Sequence, residues 1–306
     1  YEVFVTPDAG RTFDDNLDIV RDEMRLQIVS EDEVASLARV RGDLLHLDLH
    51  DFDYGAIARA FEAFGLALNL DGAAVAVFDH GAAPPDVSDR QFRFDYLDEC
   101  IGAENRLSAF AFPSDRIPAI MTRMQAVATS AAATGMPAHL PLMVMDTAPA
   151  AVLGALLDPR VGERERVVIA NVGNFHTLAF RLGPGGVEGV FEHHTGFLDV
   201  AKLDGLVSAL AASTLKHEDV FGDHGHGALV YNPHPIPLDF VGVTGPRRGM
   251  MRRSSHPVYF AVPYGDMMIA GCFGLVRAWA DVYPAWREAL LDSLDGAERG
   301  APWESL

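Results

Sequence analysis

The sequence predicts an α/β fold. Three observations carry this. Apolar, strand-like runs alternate with segments of helical spacing along the chain. The 306 residues are too many for one small core and suit one large or two medium domains. Hydrophobic residues make up 49%, enough to fill interiors of that size.

In chain order, "YEVFVT" reads as a strand and residues 7–10 as a turn. Helical spacing follows over 14–26 and 31–41, the second with Ser30 as N-cap and Glu33 at the reciprocal capping position. The acid runs Asp14-Asp15 and Glu31-Asp32-Glu33 read as solvated helix starts. "LLHLDLHDFD" at 44–53 alternates as a half-buried strand does, and 54–68 is an amphipathic helix. "AAVAVFDHG" at 73–81 is a buried strand that breaks at Gly81. Residues 92–101 and 117–133 are helical, 140–146 is a buried strand and 148–157 a short helix. Strands at 167–171 and 177–182 flank the turn of "VVIANVGNFHTLAFRL". A "GPGG" turn and a strand at 187–192 come next. Residues 199–213 are helical, "GALVYN", "FVGVTG" and "PVYFAVP" are strands, and 266–280 is a helix. The tail from 281 is part helix, part fray.

Composition excludes several classes of function. A net charge of −19 repels phosphate backbones and anionic bilayers, so neither nucleic acid nor membrane is expected as a partner. Cys100 and Cys272 cannot build a disulfide framework or a four-thiolate metal site, and a reducing cytoplasm fits them best. The longest apolar stretch is cut by Asp146 and Pro149, short of the roughly 18 residues of a spanning helix. The chain opens on Tyr1 in a strand already under way, which reads as the trace of a longer N-terminus.

Four stretches carry residues that suit chemistry. "MVMDTAPAAVLGAL" (143–156) is a strand ending in an acid, then a helix of small residues. "NVGNFHTLAF" (171–180) places donors, acceptors and a titratable ring in a strand-turn-strand. "FVGVTGPRRGMM" (240–251) ends a strand in Thr-Gly before two arginines, whose planar forks suit phosphate or carboxylate. "VPYGDMMIAGCFGLVRAW" (262–279) is a helix with Gly271 and Gly274 in its middle.

The order of these four resembles the actin, sugar-kinase and heat-shock ATPase superfamily, over about residues 143–280. The resemblance implies a two-domain, ribonuclease H-like α/β architecture with mixed sheets. A first domain would span 1–160 and a second 161–306, with the helix at 266–280 crossing back to the first and meeting the helix at 148–157 through Gly154 and Gly271. It implies binding of a nucleotide or another phosphorylated small molecule, ATP with Mg as cofactor, and phosphoryl transfer or ATP hydrolysis. Asp146 would orient water or magnesium, with His176 as a second catalytic group. Asn171, Gly173, Asn174 and Thr177 would surround phosphate, and Thr244, Gly245, Arg247 and Arg248 would form the adenosine turn. Two departures stand out. The second phosphate hairpin of the superfamily starts with aspartate, and here Asn171 takes that place. The first hairpin, strand-Asp-x-Gly-x-Thr, is absent, so the first domain is expected to be incomplete.

At closer range, "NVGNFHTLAF", "FEHHTGFLD", "HGHGALVY", "VTGPRR" and "PYGDMM..GCFGL" together resemble an uncharacterised prokaryotic family. Some of its members carry the label "pyruvate formate-lyase activating enzyme-like". Radical chemistry of that kind needs three clustered cysteines, and two cysteines 172 positions apart cannot provide them.

Seven of the twelve histidines fall between 176 and 234. His193, His194, His224 and His226 could form a metal-dependent hydrolase site, but no spacing matches a known motif. The preferred reading makes His193, His194, Thr195, Gly196, His224, His226 and Asp266 the lining of a substrate cleft, with no tightly bound transition metal. A third reading is a non-catalytic binding or regulatory protein on the same fold, which Asn171 favours.

Overall fold

The strand that ends at Val172 shows how this sequence folds. All six residues of Val167–Val172 are buried, because both faces of their sheet are covered. Val167 and Ile169 pack in one core, and Val168, Ala170 and Val172 in another. The computed structural model describes residues 2–11, 13–14 and 16–295. Asp15 of the acid pair and the expected fraying after 295 lie outside the described residues.

The chain divides into two units, Tyr1–Asp51 and Phe52–Leu306. The first contains β1 (Phe4–Val5), α1 (Pro7–Arg11), α2 (Leu17–Asp22), β2 (Gln27–Ile28) and α3 (Glu31–Val40), with β1 and β2 paired in parallel. The Ser30–Glu33 capping box forms as the sequence predicts. The strand expected at 44–53 does not form. Alternation alone makes no strand without a partner edge, and Leu45, Leu47 and Leu49 are 82%, 66% and 67% exposed.

The second unit runs through α4 (Tyr54–Ala63), β3 (Ala73–Ala76), α5 (Asp89–Ala103), β4 (Ala111–Pro113), α6 (Thr122–Ala133), β5 (Leu142–Met145), α7 (Thr147–Ala155) and α8 (Pro159–Gly162). It continues with β6 (Val167–Val172), β7 (His176–Gly183), β8 (Gly186–His194), α9 (Val200–Ala211), α10 (His217–Phe221) and β9 (Gly227–Val230). It ends with β10 (Val241–Thr244), β11 (Val258–Phe260), α11 (Ala270–Val282) and α12 (Arg287–Asp295).

Two mixed sheets result. One has the order β3-β5-β4, with β3 parallel and β4 antiparallel to β5. The other has the order β11-β10-β6-β7-β8-β9, an antiparallel meander extended from β6 by two parallel strands. The domain boundary expected at 160 falls inside this unit, between the strands of the two sheets. The helices follow the pleat. Leu142 and Val144 of β5 face Met124, Val127 and Ala131 of α6, while Met143 and Met145 share a core with Leu275, Ala278 and Trp279 of α11.

Helix α7 crosses α11 at backbone contact. A Cβ on Gly154 would lie 1.8 Å from the Ala270 carbonyl oxygen, and one on Gly274 would lie 1.8 Å from that of Ala150. A glycine crossing is thus present, but its second member is Gly274. Gly271, about one helical turn earlier, has nothing among the described residues within 4 Å of the place a Cβ would take.

On α9, Asp204 accepts from Ser254 Oγ at 2.6 Å and from Ser255 N and Oγ at 2.7 and 2.8 Å. Burial opposes its ionisation, yet these donors hold its carboxyl below the ordinary carboxylate range. The folded state therefore binds the proton less well than the unfolded chain. The stability this gives is complete above the unfolded value of about 3.9 and is lost as pH falls through the folded one. Asp204→Asn is expected to lower the urea midpoint at pH 7 and to flatten its acid decline. Parallel acid limbs for variant and parent would contradict this.

Candidate functional site

Strands β6 and β10 run side by side in parallel, with Asn171 opposite Thr244 at their ends. Turns leave both strands there, and a cleft of about 360 Å³ opens between them. Asn171, Gly173, Asn174, Thr244 and Gly245 line one side of it. Thr147 and Ala151 of α7 and Met267, Met268, Ala270 and Gly271 around the start of α11 line the other. The β10 turn needs glycine. Gly245 has φ +98°, and a side chain there would meet the Val172 carbonyl oxygen at 2.5 Å.

Five of the residues expected at phosphate and adenosine thus converge on one cleft. The others go elsewhere. Thr177 is fully buried, with its hydroxyl 2.9 Å from that of Thr195. Arg247 is exposed, and Arg248 turns back to donate to the Gly245 carbonyl at 3.2 Å. Asp266 is exposed and accepts from the Met268 amide at 2.7 Å. Asp146 is 1% exposed and does not reach the cleft. Its Oδ1 caps α7 by accepting from Ala148 N at 3.1 Å, and its Oδ2 lies 2.6 Å from Arg93 Nη2. The cap and the guanidinium offset part of the desolvation that a carboxylate at the end of a buried strand suffers. Among the described residues, no charged side chain lines the cleft.

A second group of side chains meets beyond the β6–β7 turn. His176 opens β7 and pairs in register with His194, and Leu178 pairs with Glu192. Period two puts His176, Glu192 and His194 on one face and Thr177 and His193 on the other. His226, just before β9, donates its amide to the Glu192 carbonyl. His80 comes from the other sheet, on the loop after β3. Asp79 anchors that loop by accepting from Gly81 N and Met124 N, each at 2.9 Å.

One donor atom each from His80, His176, Glu192 and His226 lies within 4.8 Å of every other. His80 Nε2 is 3.0 Å from His226 Nε2, and these two rings stack at 5.0 Å. Phe78 stacks on His176 at 4.5 Å. The His194 ring lies 4.6 Å from that of His226. Among the described residues, His176 Nε2, Glu192 Oε1 and His226 Nδ1 are buried without a hydrogen-bond partner. Behind them, Arg93 of α5 is 1% exposed. Its Nε donates to Glu192 Oε2 at 3.2 Å and its Nη1 to the Asp79 carbonyl at 3.1 Å.

Burial is the first cause that depresses the imidazole pKa values, with nearby positive charge adding to it for His80 and His226. His80 falls to about 3, His176 to about 4 and His226 to about 2. All three are therefore neutral at pH 7, each with a lone pair to donate. Burial also raises the Asp146 carboxyl above its ordinary range, against the pull of Arg93.

The histidine set differs from the one the sequence suggested. His193 is buried on the opposite face, its Nε2 3.2 Å from Asp223 Oδ2. His224 is exposed at φ +64°, its ring 5.6 Å from Phe197. Thr195 is buried against Thr177, and Gly196 is exposed. His80, Glu192 and Arg93 were missed. Strand alternation would have grouped Glu192 with His194 and set His193 apart. His80 and Arg93 lie in a loop and a helix, and no local pattern marks them.

A family model described as "Putative pyruvate format-lyase activating enzyme (DUF1786)" matches residues 1–250. No curated protein matches the chain.

Proposed function

The chain belongs to this family, whose model spans well over half of it, and we propose that it binds a nucleotide or another phosphorylated small molecule in the cleft between β6 and β10. The carrying observation is that Asn171, Gly173, Asn174, Thr244 and Gly245, drawn from two separate turns, line one cleft. Supporting it, Thr147 opens α7 and Ala270 opens α11, so two helix N-termini reach the same wall. Their partial positive charge favours an anion where no cationic side chain stands. Met267 and Met268 offer an apolar surface for a base. The Gly173 amide is used within the hairpin, donating to the His176 carbonyl at 3.0 Å, so the amide of Asn174, which lines the cleft, carries the phosphate contact in this reading.

The glycine crossing of α7 and α11 supports an actin-like architecture for the second unit, for which ATP is the ligand class. Among the described residues the cleft lining holds no carboxylate, so magnesium would arrive on the nucleotide's own phosphates, and no residue of the lining is assigned a phosphoryl-transfer step. Asn171 favours a second reading, a binding or regulatory protein on the same fold, because an amide cannot act as a base. The family's description evokes radical chemistry, which needs three clustered cysteines, and this chain has two.

Gly271→Leu tests the reading. The substitution projects into the cleft, where a Cβ meets nothing within 4 Å. Saturating ATP with magnesium should raise the melting temperature of the parent by several degrees, as a ligand at about 100 times its Kd does. The variant should melt normally without ligand and show no rise with it. An equal rise in both would sink the proposal. A rise without release of phosphate would select the binding protein over the enzyme.

A further inference from the structure

We propose that His80, His176, Glu192 and His226 bind one divalent first-row transition-metal ion, with zinc fitting the donor set best, and that this ion joins the two sheets of the second unit. The inference stands apart from the phosphate reading and does not depend on it.

Four donor atoms converge within 4.8 Å of one another. Around a zinc ion with bonds of about 2.0–2.1 Å, tetrahedral donors sit about 3.3 Å apart, so a small contraction closes the shell. Without a cation the arrangement is costly. Two neutral imidazoles can share one proton across the 3.0 Å between His80 Nε2 and His226 Nε2. That leaves His176 Nε2 and Glu192 Oε1 buried with no donor to either among the described residues. A buried carboxylate oxygen and a buried ring nitrogen without partners each carry a desolvation penalty, which a cation removes.

The chemistry of the set is selective. Three neutral imidazoles and one carboxylate suit zinc, iron, cobalt or nickel better than magnesium or calcium, which prefer all-oxygen shells. The carboxylate is already oriented, because Arg93 Nε donates to Glu192 Oε2 and leaves Oε1 toward the imidazoles. Phe78 fixes the plane of His176, and Asp79 fixes the loop that carries His80. Orienting contacts of this kind accompany metal ligands generally.

The position assigns a role. His80 follows β3 of the three-stranded sheet, whereas His176, Glu192 and His226 belong to β7, β8 and the approach to β9 in the six-stranded sheet. Four protein donors fill a tetrahedral shell, so the ion acts as a cross-link. His176 also stands two residues after Asn174 of the cleft, so the ion would fix the turn that lines the cleft.

The test uses the full chain. Elemental analysis of protein purified without chelator, then reconstituted in turn with zinc, iron(II), cobalt(II) and manganese(II), should give about one ion per chain for at least one metal. That metal should raise the melting temperature of the stripped protein. Cobalt(II) should give the intense visible absorption of a tetrahedral site. His226→Ala and Glu192→Gln should each lower metal affinity at least tenfold. His224→Ala, outside the cluster, should retain it. Because His226→Ala could disturb packing, His80→Ala, on a partly exposed loop residue, provides an independent variant read by the same cobalt spectrum. Less than a tenth of an equivalent of every metal, with no rise in melting temperature, would overturn the site. Equal loss of metal in His224→Ala and His80→Ala would also overturn it.

Discussion

Gly154→Ala is expected to destabilise the second unit by more than about 3 kcal/mol, beyond the usual range for overpacking. The added methyl would sit 1.8 Å from the Ala270 carbonyl oxygen, and that atom belongs to a helix backbone that cannot rotate away. Gly274→Ala should cost as much, since its methyl meets the Ala150 carbonyl from the other side. Either variant forces α7 and α11 apart, and those helices share a core with Met143 and Met145 of β5. A melting temperature lower by roughly 10 °C would follow. Gly271→Ala should be neutral or slightly stabilising, because alanine favours helix by about 1 kcal/mol over glycine and the site is open. Melting curves of the three variants decide the matter, and equal melting of all three would refute the crossing as the cause.

Arg93→Met should cost about 3–5 kcal/mol. Arg93 is 1% exposed and lies between Asp146 Oδ2 at 2.6 Å and Glu192 Oε2 at 3.2 Å, both carboxylates themselves buried. Removing the guanidinium leaves two like charges in a medium that solvates neither, and Asp146, whose carboxyl burial already raises, loses the cation that opposes that rise. The loss should therefore be largest at neutral pH and shrink in acid, where Asp146 protonates at less cost. A triple change, Arg93→Met with Asp146→Asn and Glu192→Gln, should recover much of the stability, because no charge is then left unpaired. Urea midpoints of the single and triple variants measure this, and a triple variant no more stable than the single one would show that packing, not charge, is responsible.

Much of the second unit was legible because its strands are short apolar runs bounded by Gly, Pro and Asn, and its helices follow directly. The hairpin at 167–182 and the turn at Thr244-Gly245 were visible as local signals in the sequence, and they meet in the cleft. The 44–53 segment failed for the opposite reason. Its alternation is a local property, while a strand depends on a partner edge elsewhere. The choice between Gly271 and Gly274 failed because the two stand about one turn apart on the same helix, and spacing alone does not say which turn meets α7. Arg93 and His80 were illegible because their partners, Glu192 and His226, lie 99 and 146 positions away. Only the docking of one sheet against the other brings them together.

The helix crossing also has a consequence for synthesis. Gly154 and Gly274 are 120 positions apart. At about 5–20 residues per second, a ribosome needs roughly 6–24 s to make the chain between them. For that time Met143 and Met145 are part of a nascent sheet whose cover, Leu275, Ala278 and Trp279, does not yet exist. The emerging chain thus carries an uncovered apolar face while 120 of its 306 residues are made, a state exposed to chaperones and to self-association.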